Sequence, residues 1–87
     1  MTESEIILSA LNELDRARRL YPEWPADLVH AAAITSEEMG EVVKGCNNYQ
    51  WQQGSDTLDD IRTEAVQTIA MLLRLLLDTP ALRGDGE

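Results

Sequence analysis

Cysteine is nearly missing from this chain: Cys46 is the only one among 87 residues. No disulfide can form within the chain, and a lone thiol fits a reducing, cytoplasmic setting. Basic residues are also scarce, with 7 Lys and Arg against 16 Asp and Glu and a net charge of −9. That deficit argues against the basic stripe that a nucleic-acid surface needs. It leaves nucleotides open, because a metal ion inverts the local field. No apolar run approaches the ~20 residues of a membrane helix. The start, Met1 to Glu5, is acidic and lacks the basic region of a signal peptide. There is no internal repeat, no low-complexity tract and no Gly-rich phosphate loop. The length implies one domain, which buries only about 60–65% of its unfolded surface and is marginal alone.

What is present is helical periodicity. Residues 3–20 read as a first helix, with Thr2 and Glu5 at capping-box spacing. Ile7, Ala10, Leu11, Leu14 and Ala17 recur on its inner side, and Glu13, Asp15, Arg16 and Arg19 lie outside. Two prolines around Trp24 break it, and Pro25 suits the first turn of the next helix. Trp24 reads as a lid over the core or as a base-stacking residue. Residues 26–47 read as a second helix with Leu28, Ala32, Met39, Val42, Val43 and Cys46 on its apolar face. Residues 47–56 form a polar loop that is both aromatic and amide-rich. Tyr49 and Trp51 either stack on a base or anchor the loop itself.

Residues 57–78 read as a third helix, with Asp56, Asp59 and Asp60 crowded at its start, where the helix dipole favours them. It carries two apolar stripes: Leu58, Ile61, Ala65, Ile69, Leu72 and Leu76, then Val66, Ala70, Leu73 and Leu77. A helix apolar on two faces is buried on two faces. The second stripe therefore predicts a partner chain, as a homo-oligomer, either dimer or tetramer. Thr79 and Pro80 end the helix, and residues 79–87 read as a mobile polar tail.

The chemistry-bearing residues lie within 36–67. Glu37, Glu38 and Glu41 occupy one ~100° sector of the second helix, at the edge of its apolar stripe. Glu64 and Gln67 lie about 60° apart on the third. If those faces meet, four or five oxygen donors converge. Carboxylates at an apolar edge are partly desolvated, which is costly without a partner. A hard divalent cation is the simplest remedy, and Mg²⁺ takes oxygen ligands while keeping places for water and phosphate. His30 lies two turns before Glu37 and reads as a surface or packing residue. Lys44 either contacts phosphate or pairs with Glu41. Asn48 lies near the helix end, where it can help to cap it.

Glu37-Glu38-x-x-Glu41, a spacer, then Glu64-x-x-Gln67 resembles the signature of the all-α nucleoside triphosphate pyrophosphatases, the MazG-like superfamily. The resemblance spans about residues 20–78. The family pattern has Asp at the last position, where this chain has Gln67. The resemblance implies an all-α bundle of three to four helices over residues 1–78, completed by oligomerisation. It also implies Mg²⁺-dependent hydrolysis of a nucleoside triphosphate, ribo or deoxy, to the monophosphate and pyrophosphate, with Mn²⁺ as a substitute ion. Glu38, Glu41, Glu64 and Gln67 would be the metal ligands, and Glu37 would act on the attacking water. Lys44, Asn48, Trp51 and Arg74 would be the substrate contacts. The alternative is a helical partner-binding module that keeps the fold without turnover.

Overall fold

The computed structural model describes residues 1–84 and is all-helical there, in the order α1 (Glu3–Leu20), α2 (Leu28–Gln50), α3 (Leu58–Asp78) and a single turn, α4 (Pro80–Arg83). Each long helix starts on a side-chain cap. Thr2 Oγ1 accepts from the Glu5 amide at 3.1 Å. Asp27 accepts from the His30 amide at 3.2 Å, so α2 begins after Asp27 and two residues later than its periodicity predicts. Thr57 and Asp60 close a reciprocal capping box on α3. α2 also runs three residues beyond its predicted end. The Trp51 amide still donates to the Asn47 carbonyl at 3.0 Å. The chain then turns through Gln52 at φ 54° and Gly54 at φ 115°, a conformation that glycine adopts without penalty.

α3 is the hub: α1 and α2 both pack on it and scarcely on each other. α2 runs antiparallel to α3, with Gly45 against Ile61 at one end and Ile34 on the core near Met71 towards the other. A Cβ on Gly45 would stand 3.3 Å from Ile61 Cγ1, so a glycine lets the two helices approach here. α1 runs parallel to α3. Met1 and Thr63 flank one hollow at their starts, and Arg18 bonds Asp78 at their ends. Leu14, Ala17, Ala70 and Met71 form the core, with Trp24, Ile34 and Leu73 packed against it. Trp24 thus packs over the core as a lid, the first of the two roles its sequence position left open.

Two sequence expectations are corrected by this packing. On α3, Ala70 is fully buried, Val66 and Leu73 are half-buried and Leu77 is exposed, whereas Ile61 and Ala65 are half-buried and Leu58, Ile69, Leu72 and Leu76 are exposed. The stripe expected to meet a partner partly fills the chain's own core, and the stripe expected to fill the core largely faces out. On α2, the residues packed inward are Ala31, Glu38, Val42 and Gly45, while Leu28, Met39, Val43 and Cys46 are exposed. The reason is close approach: small residues let α2 lie against α3, and the bulkier apolar residues are left to one side.

The segment read as a polar tail is structured at its beginning. Thr79 is fully buried, Pro80 to Arg83 make a helical turn, and Gly84 ends it at φ 98°. The pattern hid this because Thr79 is held by a partner 55 residues away rather than by local periodicity. The rest of the expected tail, residues 85–87, lies outside the described residues. No helix among the described residues is long and apolar enough to cross a membrane.

Candidate acidic groove

Glu38 occupies the middle of the α2 face that packs on α3, within ~40° of Ala31, Val42 and Gly45. It is half-buried there. Burial pushes its carboxyl above the ordinary carboxylate range, and the charges of Glu64, Glu41, Glu13 and Glu37 push it further. The paired motif therefore does bring its two halves together. Glu64 looks across from α3, half-buried, and Glu41 lies one turn on along α2. Glu37 is exposed on the same side of α2.

These groups line two hollows that share no residue. Glu41 and Glu64 share one of about 310 Å³ with Lys44, Gly45, Asn48 and Asp56. Glu38 and Gln67 share the other, about 390 Å³, with Glu13, Trp24, Ile34, Met71 and Arg74. Gln67 thus lies on the α1 side of Glu38, and Glu64 lies on the loop side. Among the described residues, no three His, Cys, Asp or Glu side chains are placed to hold a metal ion together. The carboxylates are close enough to raise the pKa of Glu38 without closing into a cage. Like charges on long, flexible glutamates favour splayed rotamers.

The residues assigned to substrate fall into two groups. Lys44 is exposed, borders the hollow of Glu41 and Glu64, and makes no ion pair with Glu41. Its ammonium therefore remains available to an anion. Asn48 is engaged structurally. Its Nδ2 donates to Asp56 at 2.7 Å, and its main-chain carbonyl accepts from the Gln53 amide at 2.9 Å. Trp51 is 64% exposed in the turn after α2 and borders neither hollow. His30 is exposed, in keeping with a surface residue.

Arg74 departs furthest from its expected role. It is 3% exposed. Its Nε donates to Asp78 at 3.1 Å, its NH2 donates to the Tyr21 carbonyl at 2.5 Å, and its guanidinium lies 4.9 Å from the centre of the Trp24 ring. Those bonds tie the α1–α2 link to the end of α3, so Arg74 is primarily a structural strap at the wall of the groove.

Glu13 is the residue that sequence reasoning missed. It was placed on the outer side of α1, yet its side chain is only 18% exposed, pairs with Arg16 at 2.8 Å and faces the groove. A signal was available. Glu13 borders Leu14 and Ala17 as Glu37 and Glu38 border the apolar stripe of α2, and a carboxylate at an apolar edge is pulled toward a seam.

Compared with known protein families, curated proteins and solved structures, the chain matches none.

Proposed function

We propose that the acidic groove binds a divalent cation and the phosphates of a nucleoside triphosphate, and hydrolyses it to the monophosphate and pyrophosphate in the manner of the MazG-like enzymes. The observation that carries this reading is the burial of Glu38 at a helix seam beside carboxylates from both neighbouring helices. An uncompensated cluster of this kind costs stability, and a fold tolerates it where a cation or a function requires it. The donor set is all hard oxygen and carries excess negative charge, which suits Mg²⁺ or Mn²⁺.

In this reading Glu38, Glu41 and Glu64 would hold the ion once their side chains converged on it, and Gln67 would supply a neutral oxygen from the hollow it shares with Glu38. Held there, an ion would offset the charge on the phosphate oxygens. Glu37, exposed at the rim, accepts a proton from the attacking water. Oxygen then bonds to the α-phosphorus, the bond from that phosphorus to the bridging oxygen breaks, and pyrophosphate leaves with the electron pair. Lys44 lies where it can meet a phosphate oxygen. Asn48 and Trp51 keep the rim of the loop as their place in this scheme. Arg74 contributes by holding the groove wall.

A panel of ribo- and deoxyribonucleoside triphosphates with Mg²⁺, scored for pyrophosphate, tests the reaction. Release of pyrophosphate with the monophosphate, lost in Glu38→Gln, is the expected result. Release of orthophosphate, or inertness across the panel, would sink it.

The second reading, a helical module without turnover, draws support from the neutral Gln67 and from the lack, among the described residues, of three acidic side chains placed to hold an ion together. Melting curves separate the two. An ion that binds only the folded chain raises its stability by RT ln(1 + [L]/Kd), and a pure interaction module shows no Mg²⁺-dependent rise.

A further inference from the structure

Basic side chains gather around one hollow of this acidic chain. It lies between α1 and α3, has a volume of about 480 Å³, and adjoins the hollow of Glu38, with Glu13, Arg16 and Gln67 lining both. Arg16 and Arg19 reach it from α1 and Arg62 from α3, so three of the chain's 7 basic residues meet in one place. Asn12, Arg16 and Arg19 are spaced to share one side of α1. Ser9, Asn12 and Thr63 add hydroxyl and amide donors, and Glu13 is the one carboxylate on the walls among the described residues. Each arginine is paired within its own helix. Arg16 meets Glu13 at 2.8 Å, Arg19 meets Asp15 at 3.1 Å and Arg62 meets Asp59 at 2.6 Å. Asp15 and Asp59 lie off the walls. Exposed pairs of this kind add little stability. Each also engages a single nitrogen of a fork that carries five N–H donors. Donors therefore remain for an anion. Arg18 and Arg74 differ, because both are committed to Asp78.

We propose that this hollow binds the phosphate groups of a small anion without a metal ion, as a site separate from the acidic groove. Cations from two helices stand around one space with a single carboxylate among them, and an anion placed there offsets their mutual repulsion. The planar arginine fork matches two phosphate oxygens at once. A nucleic acid is a poor occupant, because a long polyanion meets the full net charge of −9. A small anion meets only its nearest charges, since exposed charges more than about 8 Å apart are largely screened at physiological salt. Glu13 tempers the site: its carboxylate occupies Arg16 and repels the ligand. The assignment neither needs nor extends the hydrolysis proposed above, which requires a divalent ion at the carboxylates of α2 and α3.

Inorganic pyrophosphate is titrated into the full chain by calorimetry at physiological salt with a chelator present, so that no divalent ion can carry it to the acidic groove. The expected result is saturable binding, at millimolar concentration or below, that weakens as salt is added. It should fall about tenfold or more in Arg16→Gln and in Arg62→Gln, and tighten in Glu13→Gln. Both arginines are exposed, so their variants should keep the helix content of the wild type. If either does not fold, Arg19→Gln takes its place. A nucleoside triphosphate in the same buffer separates two sources of the phosphate groups. Affinity equal to that of pyrophosphate assigns the site to free polyphosphate, and much tighter binding assigns it to the tail of a nucleotide. Absence of binding at millimolar pyrophosphate overturns the proposal. So does binding that the arginine variants leave unchanged, or that Lys44→Gln abolishes in their stead, which would put the anion in the hollow of Glu41 and Glu64.

Discussion

Trp24 Nε1 donates a hydrogen bond of 2.8 Å to Thr79 Oγ1, joining residues 55 positions apart. The bond ties the link before α2 to the step between α3 and α4, and the same indole ring stacks beside the Arg74 guanidinium. Thr79 is wholly buried, so the hydroxyl cannot be replaced there by water. Thr79→Val keeps the shape and strands the indole N–H, at an expected cost of about 1–3 kcal/mol in urea unfolding. Thr79→Ser keeps the bond and should lose well under half as much. Equal losses in the two variants would mean that packing, not the hydrogen bond, matters at this position.

Asp78 is the second anchor of that junction. It accepts from Arg18 at 3.0 and 2.5 Å and from Arg74 at 3.1 Å. Asp78→Asn leaves Arg74 buried with only Tyr21 and Trp24 to hold it, and should cost about 3 kcal/mol. The pH dependence has a definite sign. The hydrogen bond from Arg18 holds the Asp78 carboxyl below its ordinary range, with both arginine charges assisting and burial opposing. A lowered carboxyl pKa contributes stability above the unfolded value of about 4, and that stability is lost as pH falls through the folded value. Melting temperatures of wild type and Asp78→Asn between pH 7 and pH 2 should therefore converge on the acid side. A constant gap would place the lost stability in packing.

Glu38 titrates in the opposite sense. Burial, then Glu64, Glu41, Glu13 and Glu37, raise its pKa, so the folded chain holds this proton more tightly than the unfolded one. Its contribution is favourable at acid pH and declines as pH rises through the glutamate range. Glu38→Gln should raise the melting temperature in chelator at pH 7 and flatten this decline. In Mg²⁺ the order should invert, because only the wild type retains the ligand. A variant that is destabilised in chelator would show that the carboxylate is already satisfied within the chain.

Gln67→Asp tests the one departure from the resembled signature. The residue shares a hollow with Glu13 and Glu38, so a new carboxylate should lower stability in chelator and raise Glu38 further. With Mg²⁺ it should tighten binding, less the reach lost with one methylene. Equal shifts of the melt in chelator and in Mg²⁺ would put Gln67 beyond the ion and leave Glu38, Glu41 and Glu64 as its ligands.

Helix placement was legible because it depends on short-range signals. The cap at Thr2, the aspartates at the start of α3 and the 3.6-residue period set the spans to within a few positions, and the paired acidic motif falls where α2 and α3 pack, with the charge of Glu64 acting on Glu38. Which apolar stripe turned inward was not legible. Ala31 and Gly45 carry little hydrophobic weight, yet they form the α2 seam because small residues permit close approach. Leu58, Leu72 and Leu76 carry much weight and are left exposed. The ranking of stripes by apolar content inverted what packing selects. Arg74 and Thr79 were misread for a related reason: their partners, Tyr21, Trp24 and Asp78, include residues more than fifty positions away, which no local window contains.

The arrangement around α3 has a consequence for the order of assembly. α2 and α3 are neighbours in sequence, joined by the seven residues 51–57, so closing that hairpin costs little loop entropy. α1 must come back across some sixty positions to lie parallel to α3, and it is attached mainly by Leu14, Ala17 and the junction at Arg18. It is the element expected to dock last and to detach first. Amide protons of α1 should exchange with solvent through its partial release, while those of central α3 should wait for the whole chain to unfold.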